Sequence, residues 1–416
     1  MNEVFGGKTI LHIDINSYFA SLLQQQIPSL RAKPLAVVKD IGRTCIIAAS
    51  KEAKLLGIKT GDNVHEWQSL VDLKVAPCDF SLFLSATKKL QRVFSSFSPD
   101  VRIFSLDEVF IDYTPLQNLY GSAEEFATKI QDQIHSVLGG WVDCNVGIGP
   151  NRFLAKMTGE VSAKGSVTRV DESNLMSLLS RVEFRDVCGI GYRLSKKLAR
   201  LGVYHPLQIS FFCDEELVAH FGKFWAKELR KMSQGQEPHL LSHSQDRLTM
   251  KSVSRSITGF HLINSEVEIK KILYNLVEEV IHKVRRMNLA GRLVGFSLYG
   301  GYGQKRSISS YLTLQRYIRN TKEMFDLIYN QLYLSRKRDF PIIRFRVFLA
   351  MLQPWVGLSL LEEDQKREKI ACSVDKLNQK YGLFTVTSGL LTDKQKIIRP
   401  EVTGFFGDKQ FQLMNN

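Results

Sequence analysis

Apolar residues recur in short blocks along the first 170 or so positions. Their spacing alternates between the two-residue period of a strand and the 3.6-residue period of a helix. Residues 8–14 (KTILHID) predict a buried strand that ends in an acid, and 17–26 predict a helix. A second apolar strand is predicted at 33–39 (KPLAVVK), followed by a short loop at Asp40, Ile41, Gly42 and Arg43. Residues 42–62 read as strand, then helix, then a turn at Gly57 and Gly61. A helix at 79–97 leads to a strand at 101–105, a bend at Leu106, Asp107 and Glu108, and a strand at 109–113. Helix follows at 122–138, strand at 143–149, and a further helix opens over 151–158. Strands that carry acids and are crossed by helices predict an α+β or α/β core up to about residue 170.

Beyond that core the pattern shifts to short helices around Gly189, Ile190 and Gly191, reaching Lys231. Residues 233–246 (SQGQEPHLLSHSQD) are polar and without period, which predicts a linker. Helical spacing returns at 267–287, strand alternation at 292–299 (RLVGFSLY), helix at 321–334 and strand at 342–349. These describe a small helix-and-sheet domain, and 356–416 form a mixed tail.

The length, 416 residues, suits two to four domains, and 44% hydrophobic with 24% charged residues is ordinary for globular protein. No apolar run reaches the 18 or so residues of a membrane span; the nearest, 347–361, is cut at Gln353 and Pro354. The N-terminus lacks the order of a signal peptide. Six cysteines without a CxxC pair argue against a disulfide scaffold and a zinc knuckle. A soluble cytoplasmic protein in a reducing compartment is expected. The net charge is +14, and residues 241–355 carry 19 Lys and Arg against 8 Asp and Glu, or +11 of it. Such a basic block fits a polyanionic partner, although solubility charge has the same sign.

Asp14 stands at the exit of one apolar strand, and Asp107 and Glu108 at a bend between two others. Carboxylates converging at strand ends suit a hard divalent cation beside substrate phosphates, and a pair of such ions suits in-line phosphoryl transfer. Acids at bends also serve as backbone caps, and spacing alone leaves both readings open. Asp112 shares the side of Glu108 if the strand period is unbroken. GGKT at 6–9 is no P-loop: Asn2 occupies the required glycine position, and the motif precedes a strand. No pair of histidines has metal-site spacing on a helix face, and none is assigned a role.

DINSYFASL (14–22), SLDEVFID (105–112) and GIGPNRFLAK (147–156) resemble, in order and spacing, the palm motifs of Y-family, lesion-bypass DNA polymerases of the DinB/UmuC type. GIGYRLSKKLARLG (189–202) resembles that family's thumb helix-hairpin-helix, and KSVSR (251–255) with GRLVGFSLYG (291–300) its little finger. The resemblance implies an α+β right-hand architecture: a ferredoxin-like palm (1–17 and 80–170), small fingers (18–79), a helical thumb (171–232), a linker (233–248), an α/β little finger (249–355) and a tail (356–416). It implies template-directed addition of deoxynucleotides to a primer 3′-hydroxyl, with low fidelity and bypass of damaged template. It further implies that Asp14 and Asp107 bridge two Mg²⁺ ions, that Glu108 ligates the catalytic ion and that Ile15 offers its carbonyl. Phe19 matches the steric gate against a ribose 2′-hydroxyl, and Lys156 the lysine that reaches the triphosphate. In the fingers, Lys51 replaces the usual tyrosine and Lys54 the usual arginine, so a point charge stands where a bidentate fork is common.

Contacts to primer–template DNA are expected from Gly189 and Gly191, whose backbone can approach a phosphate at a helix start, and from Lys196, Lys197, Lys251, Arg255 and Arg292. Arg285, Lys305, Arg306, Arg316 and Arg319 belong to the same basic block. The last residues, with Gln410, Leu413 and Met414, resemble the peptide by which bacterial polymerases hold a sliding clamp. A monomer with no membrane contact is expected. A non-catalytic adaptor relative tends to lose its palm acids, and a palm-fold nucleotide cyclase needs neither thumb nor basic block; this chain has both acids and block.

Overall fold

The computed structural model describes residues 4–39, 45–242, 250–301, 306–336, 338–356, 362–382 and 384–392. The loop expected at 40–43, Lys305 and the C-terminal peptide with Gln410, Leu413 and Met414 lie outside them. The described residues fall into two compact units, 4–242 and 250–392. No described helix is long and apolar enough to cross a membrane.

The first unit runs β1 (Ile10–Ile15), α1 (Tyr18–Gln26), β2 (Leu35–Val38), β3 (Ile46–Ala49), α2 (Lys51–Leu55), α3 (Val64–Gln68), β4 (Lys74–Pro77) and α4 (Phe80–Phe97). It continues with β5 (Val101–Ile103), β6 (Glu108–Asp112), α5 (Gln117–Tyr120), α6 (Ala123–Leu138), β7 (Cys144–Gly149), α7 (Arg152–Val161) and β8 (Val167–Arg169). Helices α8 (Leu175–Arg181), α9 (Tyr192–Ala199), α10 (Asp214–Ser233) and α11 (His239–Ser242) complete it. The principal sheet has the order β5-β6-β1-β7-β8. β1 at its centre is antiparallel to both neighbours.

Alternation along β1 decides what each face carries. Leu11, Ile13 and Ile15 are buried with Phe83 and Phe94 of α4 and with Phe126 and Ile130 of α6. His12 and Asp14 take the opposite face, against which α7 packs. That packing needs glycine: a Cβ on Gly147 would stand 2.0 Å from the Ala155 carbonyl oxygen, and one on Gly149 2.8 Å from the Ala155 nitrogen. The two glycines of the 147–149 motif therefore let a helix backbone lie directly on β7.

Helix starts follow their caps. Asp79 accepts from the Leu82 N–H at 3.1 Å and Asn151 from the Leu154 N–H at 2.9 Å. Ser122 and Glu125 form a reciprocal capping box. A second sheet, β3-β2-β4, has its own small core of Ala36, Val38, Ile46, Ala53, Ile58 and Val64. Part of the segment expected as a linker packs against the start of α7. Glu237 accepts from the Arg152 N–H at 3.0 Å, and Asn151 donates to the Gly235 carbonyl at 2.8 Å. Its polar residues are spent on the start of α7 instead of on water. The remainder, 243–249, lies outside the described residues.

The second unit contains β9 (Ser252–Ile263), α12 (Glu266–Arg286), β10 (Leu289–Gly300), β11 (Ser307–Ile318), α13 (Thr321–Asp326), β12 (Ile342–Pro354) and α14 (Glu362–Tyr381). A π-helical stretch, Leu327–Tyr333, prolongs α13. The sheet order is β11-β10-β12-β9, antiparallel throughout. Ile269, Leu273, Leu276 and Val280 of α12 bury against Val294, Phe296 and Val347. β9 and β11 escape the sequence pattern because their outer positions are hydroxyl residues. Ser252, Ser254, Ser256 and Thr258 alternate with Val253, Arg255 and Ile257, so the apolar signal is thin.

Residues 362–392, read from sequence as part of a tail, pack on this unit. Asp375 accepts from the Arg285 guanidinium at 2.7 Å and pairs with His282 at 3.0 Å, and Glu368 pairs with Arg319 at 2.8 Å. Burial would raise the Asp375 carboxyl, but Arg285 and His282 outweigh it and hold it at about 2. A depressed carboxyl contributes stability above the unfolded value of about 4, and the contribution is lost as pH falls towards the folded value. Asp375→Asn is expected to raise amide exchange across α14 at pH 7 by roughly tenfold or more, as loss of a charged hydrogen bond implies. It should also remove a steepening expected of the native chain between about pH 4 and 2. Unchanged exchange at pH 7 would contradict the docking role.

Candidate active site

Antiparallel pairing sets Asp14 of β1 directly opposite Glu108 of β6. The bend before β6 brings in Asp107: its carbonyl accepts from the Ile15 N–H at 3.1 Å, and its carboxylate is held by the Ser105 hydroxyl. Carboxylates remote in sequence thus share one strand end. Ser17, in the left-handed region (φ 49°), turns the chain from β1 into α1 just beyond them.

The acids are not equally compensated. Burial, then Glu108 and Asp107, raises the Asp14 carboxyl well above the usual range. Burial first also raises Asp107 to about 6, against the opposing Ser105 bond. Glu108 behaves oppositely: His12 and Lys156 outweigh burial and lower it. The cause is geometric. Lys156, on α7 and 5% exposed, places its Nζ 3.2 Å from Glu108 Oε1 and 3.3 Å from Glu160 Oε1. The Phe104 ring centroid lies 5.5 Å from the same Nζ. Glu108 is therefore engaged by Lys156 of α7 on one oxygen and faces His12 of β1 with the other. Among the described residues, no group of three or more His, Cys, Asp or Glu side chains is placed to hold a metal ion. The three-carboxylate cage expected from sequence is not closed here.

His12 is part of this site, although the sequence analysis assigned it no role. It is 1% exposed, its Nε2 lies 3.8 Å from Glu108 Oε2, and neither ring nitrogen has a hydrogen-bond partner. Burial lowers its pKa. The available signal was alternation, since a residue two before Asp14 must share its face. Asn145 was also missed. It is buried and ties the strand end together, bonding Asn16 at 3.0 Å, the Gly159 carbonyl at 2.9 Å and the Gly165 N–H at 2.7 Å. Asp112, by contrast, caps the backbone at Thr114 (3.0 Å).

Phe19 is half-buried and stacks on Phe83 with centroids 4.4 Å apart, edge-on to Phe80 at 6.3 Å. Behind it, the Tyr18 hydroxyl bonds the Phe83 carbonyl and Thr87 Oγ1, each at 2.8 Å. Lys51 and Lys54 are exposed on α2, whose start is capped by Ser50. Desolvation, then Lys164, lowers the Lys54 pKa, while Asp14, Glu160 and Asp107 oppose the shift. Lys54 thus lies within the field of the acids. Ile15 is buried at the end of β1.

The expected DNA contacts separate into several environments. Gly189 has φ 91° and Gly191 caps α9, which starts at Tyr192. Lys196 contacts Tyr192 (3.3 Å to its hydroxyl), and Lys197 donates to the His220 carbonyl. In the second unit, Lys251 is exposed and Arg292 lies 5.9 Å over the Tyr317 ring. Arg255 is 8% exposed with its guanidinium on Glu279, so its charge is spent inside the unit. Arg285 and Arg319 are held by α14 in the same way. The open sheet face instead presents Arg344 over Tyr299 (5.5 Å) and Arg346 over Phe348 (5.7 Å), which the sequence reading did not single out.

The profile of the impB/mucB/samB family matches residues 13–160, and that of the family's C-terminal domain matches 250–354. The chain is 32% identical to DNA polymerase IV of Moorella thermoacetica over 73% of this chain and 77% of that protein. It is 31% identical to DNA polymerase IV of Pelotomaculum thermopropionicum over 70% and 72%. DNA polymerase IV of Acetivibrio thermocellus is 25% identical over 94% and 99%.

A carboxyl raised on folding costs stability as pH climbs from its unfolded towards its folded value. Asp14→Asn is therefore expected to raise the melting temperature of the metal-free chain, by about 3 °C per kcal/mol released, and by more at pH 8 than at pH 5. A pH-independent loss of stability would contradict the strain assigned to Asp14.

Proposed function

Since the chain belongs to the impB/mucB/samB family of Y-family DNA polymerases, we propose that it is a template-directed, translesion DNA polymerase that extends a primer 3′-hydroxyl with deoxynucleotides. The carrying observation is the meeting of Asp14, Asp107 and Glu108 at one strand end, with Lys156 reaching them from α7.

The donor set fits divalent metal. Its ligands are hard oxygens, and half-buried Asp14 and Asp107 are pushed towards protonation when no cation stands among them. Asp14, Asp107, Glu108 and the Ile15 carbonyl are the groups that would hold two Mg²⁺ ions. Bound metal would acidify the attacking hydroxyl and offset charge on the leaving pyrophosphate. The chain's own part is positioning and charge. Lys156, Lys54 and Lys51 neutralise the triphosphate, and the Phe19 ring, braced by Phe83 and Phe80, occupies the space of a ribose 2′-hydroxyl.

We assign palm to 1–17 and 80–170, fingers to 18–79, thumb to 171–232, linker to 233–248, little finger to 249–355 and tail to 356–416. Backbone at Gly189 and Gly191, with Lys196, Lys197, Lys251, Arg292 and the outward Arg344 and Arg346, holds DNA phosphates without reading sequence. The peptide with Gln410, Leu413 and Met414 docks on a sliding clamp. A non-catalytic adaptor is not favoured, because such relatives tend to lose palm acids and Asp14, Asp107 and Glu108 are all present.

Primer extension tests the reading. Asp107→Ala is expected to lower the rate at least about 1000-fold, roughly 4 kcal/mol of barrier; retained activity would remove Asp107 from the chemistry. Phe19→Ala is expected to admit ribonucleotides with deoxynucleotide extension preserved, and an unchanged sugar preference would contradict the gate.

A further inference from the structure

Lys156 and Glu108 have separate assignments in the proposed reaction: one meets the triphosphate and the other a metal. In the structure they are engaged with each other. The Nζ–Oε1 distance is 3.2 Å, and the lysine side chain is 6% and the glutamate 19% exposed. Glu160, one helical turn along α7, holds the far side of the same ammonium at 3.3 Å. His12, buried and with neither ring nitrogen hydrogen-bonded, stands 3.8 Å behind Glu108 Oε2 and faces the carboxylate in this position. With Glu108 so directed, no group of three or more acidic, His or Cys side chains is placed to hold an ion among the described residues. In this arrangement the two groups assigned to different ligands neutralise each other.

Resting on the function proposed above, we infer that the Lys156–Glu108 pair is a latch that couples the two binding events. Lys156 keeps Glu108 out of the metal cluster until a nucleoside triphosphate draws the ammonium away. Glu108 then swings to the cluster, and metal ligation in turn frees Lys156 for the phosphates. Linkage makes the effect reciprocal: nucleotide strengthens the metal site by the factor with which metal strengthens nucleotide binding.

The test is the effect of Glu108→Gln on Mn²⁺ affinity of the full chain, followed by electron paramagnetic resonance, in native and Lys156→Gln backgrounds. Comparing within each background cancels the simple electrostatic gain from removing a lysine. Without nucleotide, Glu108→Gln is expected to weaken Mn²⁺ less than about 2-fold in the native background and at least about 10-fold beside Lys156→Gln. Equal weakening in both backgrounds overturns the latch. No weakening in either also overturns it, and primer extension by Glu108→Gln then separates the cases: lost activity leaves the proposed function standing, and full activity removes Glu108 from it. Should Lys156→Gln fail to fold, the native background suffices. A non-hydrolysable deoxynucleotide should convert the small effect of Glu108→Gln into one of about 10-fold or more, and an unchanged small effect overturns the latch.

Discussion

The close approach of α7 to β7 governs the site. Side chains at positions 147 and 149 would collide with the helix backbone at 2.0 and 2.8 Å, so glycine at both allows the helix to lie flat on the sheet. That seating buries Lys156 within 3.2 Å of Glu108 and covers His12 on the same face of β1. Two-residue alternation and one tight helix–strand contact thus turn three separated sequence motifs into a single charged pocket wall.

The consequence is a strained resting site. Burial and mutual repulsion act on Asp14 and Asp107, while the nearby cation is committed to Glu108 and Glu160. Such carboxyls are expected to cost folding stability, which the larger hydrophobic cores on either side offset. Phe83, Phe94, Phe126 and Phe153 are fully buried around the sheet. Such a trade is common where charge must be kept ready for a ligand.

Much of the framework was legible. Strand alternation located β1, β6 and β7, and the caps Asp79, Ser122 and Asn151 marked helix starts to within a residue. What escaped had physical reasons. β9 and β11 hide behind hydroxyl residues, and β4 is too short to show a period. Charge patterning counts lysines and arginines but cannot tell their directions: Arg255, Arg285 and Arg319 turn inward to acids distant in sequence, whereas Arg344 and Arg346 stay outward. The acids could be placed by resemblance, yet the partner of Glu108 could not, because the ion pair depends on how closely α7 is seated. His12 needed only the alternation rule, applied to a residue that no metal-spacing search would select.

The most direct measurement is a crystal structure of the chain with primer–template DNA, Mn²⁺ and a non-hydrolysable deoxynucleotide, with the metal located by anomalous scattering. The account predicts Mn²⁺ bound by Asp14, Asp107 and Glu108, with Lys156 moved from Glu108 to the phosphates. Metal bound elsewhere, with Glu108 still paired to Lys156, would contradict it.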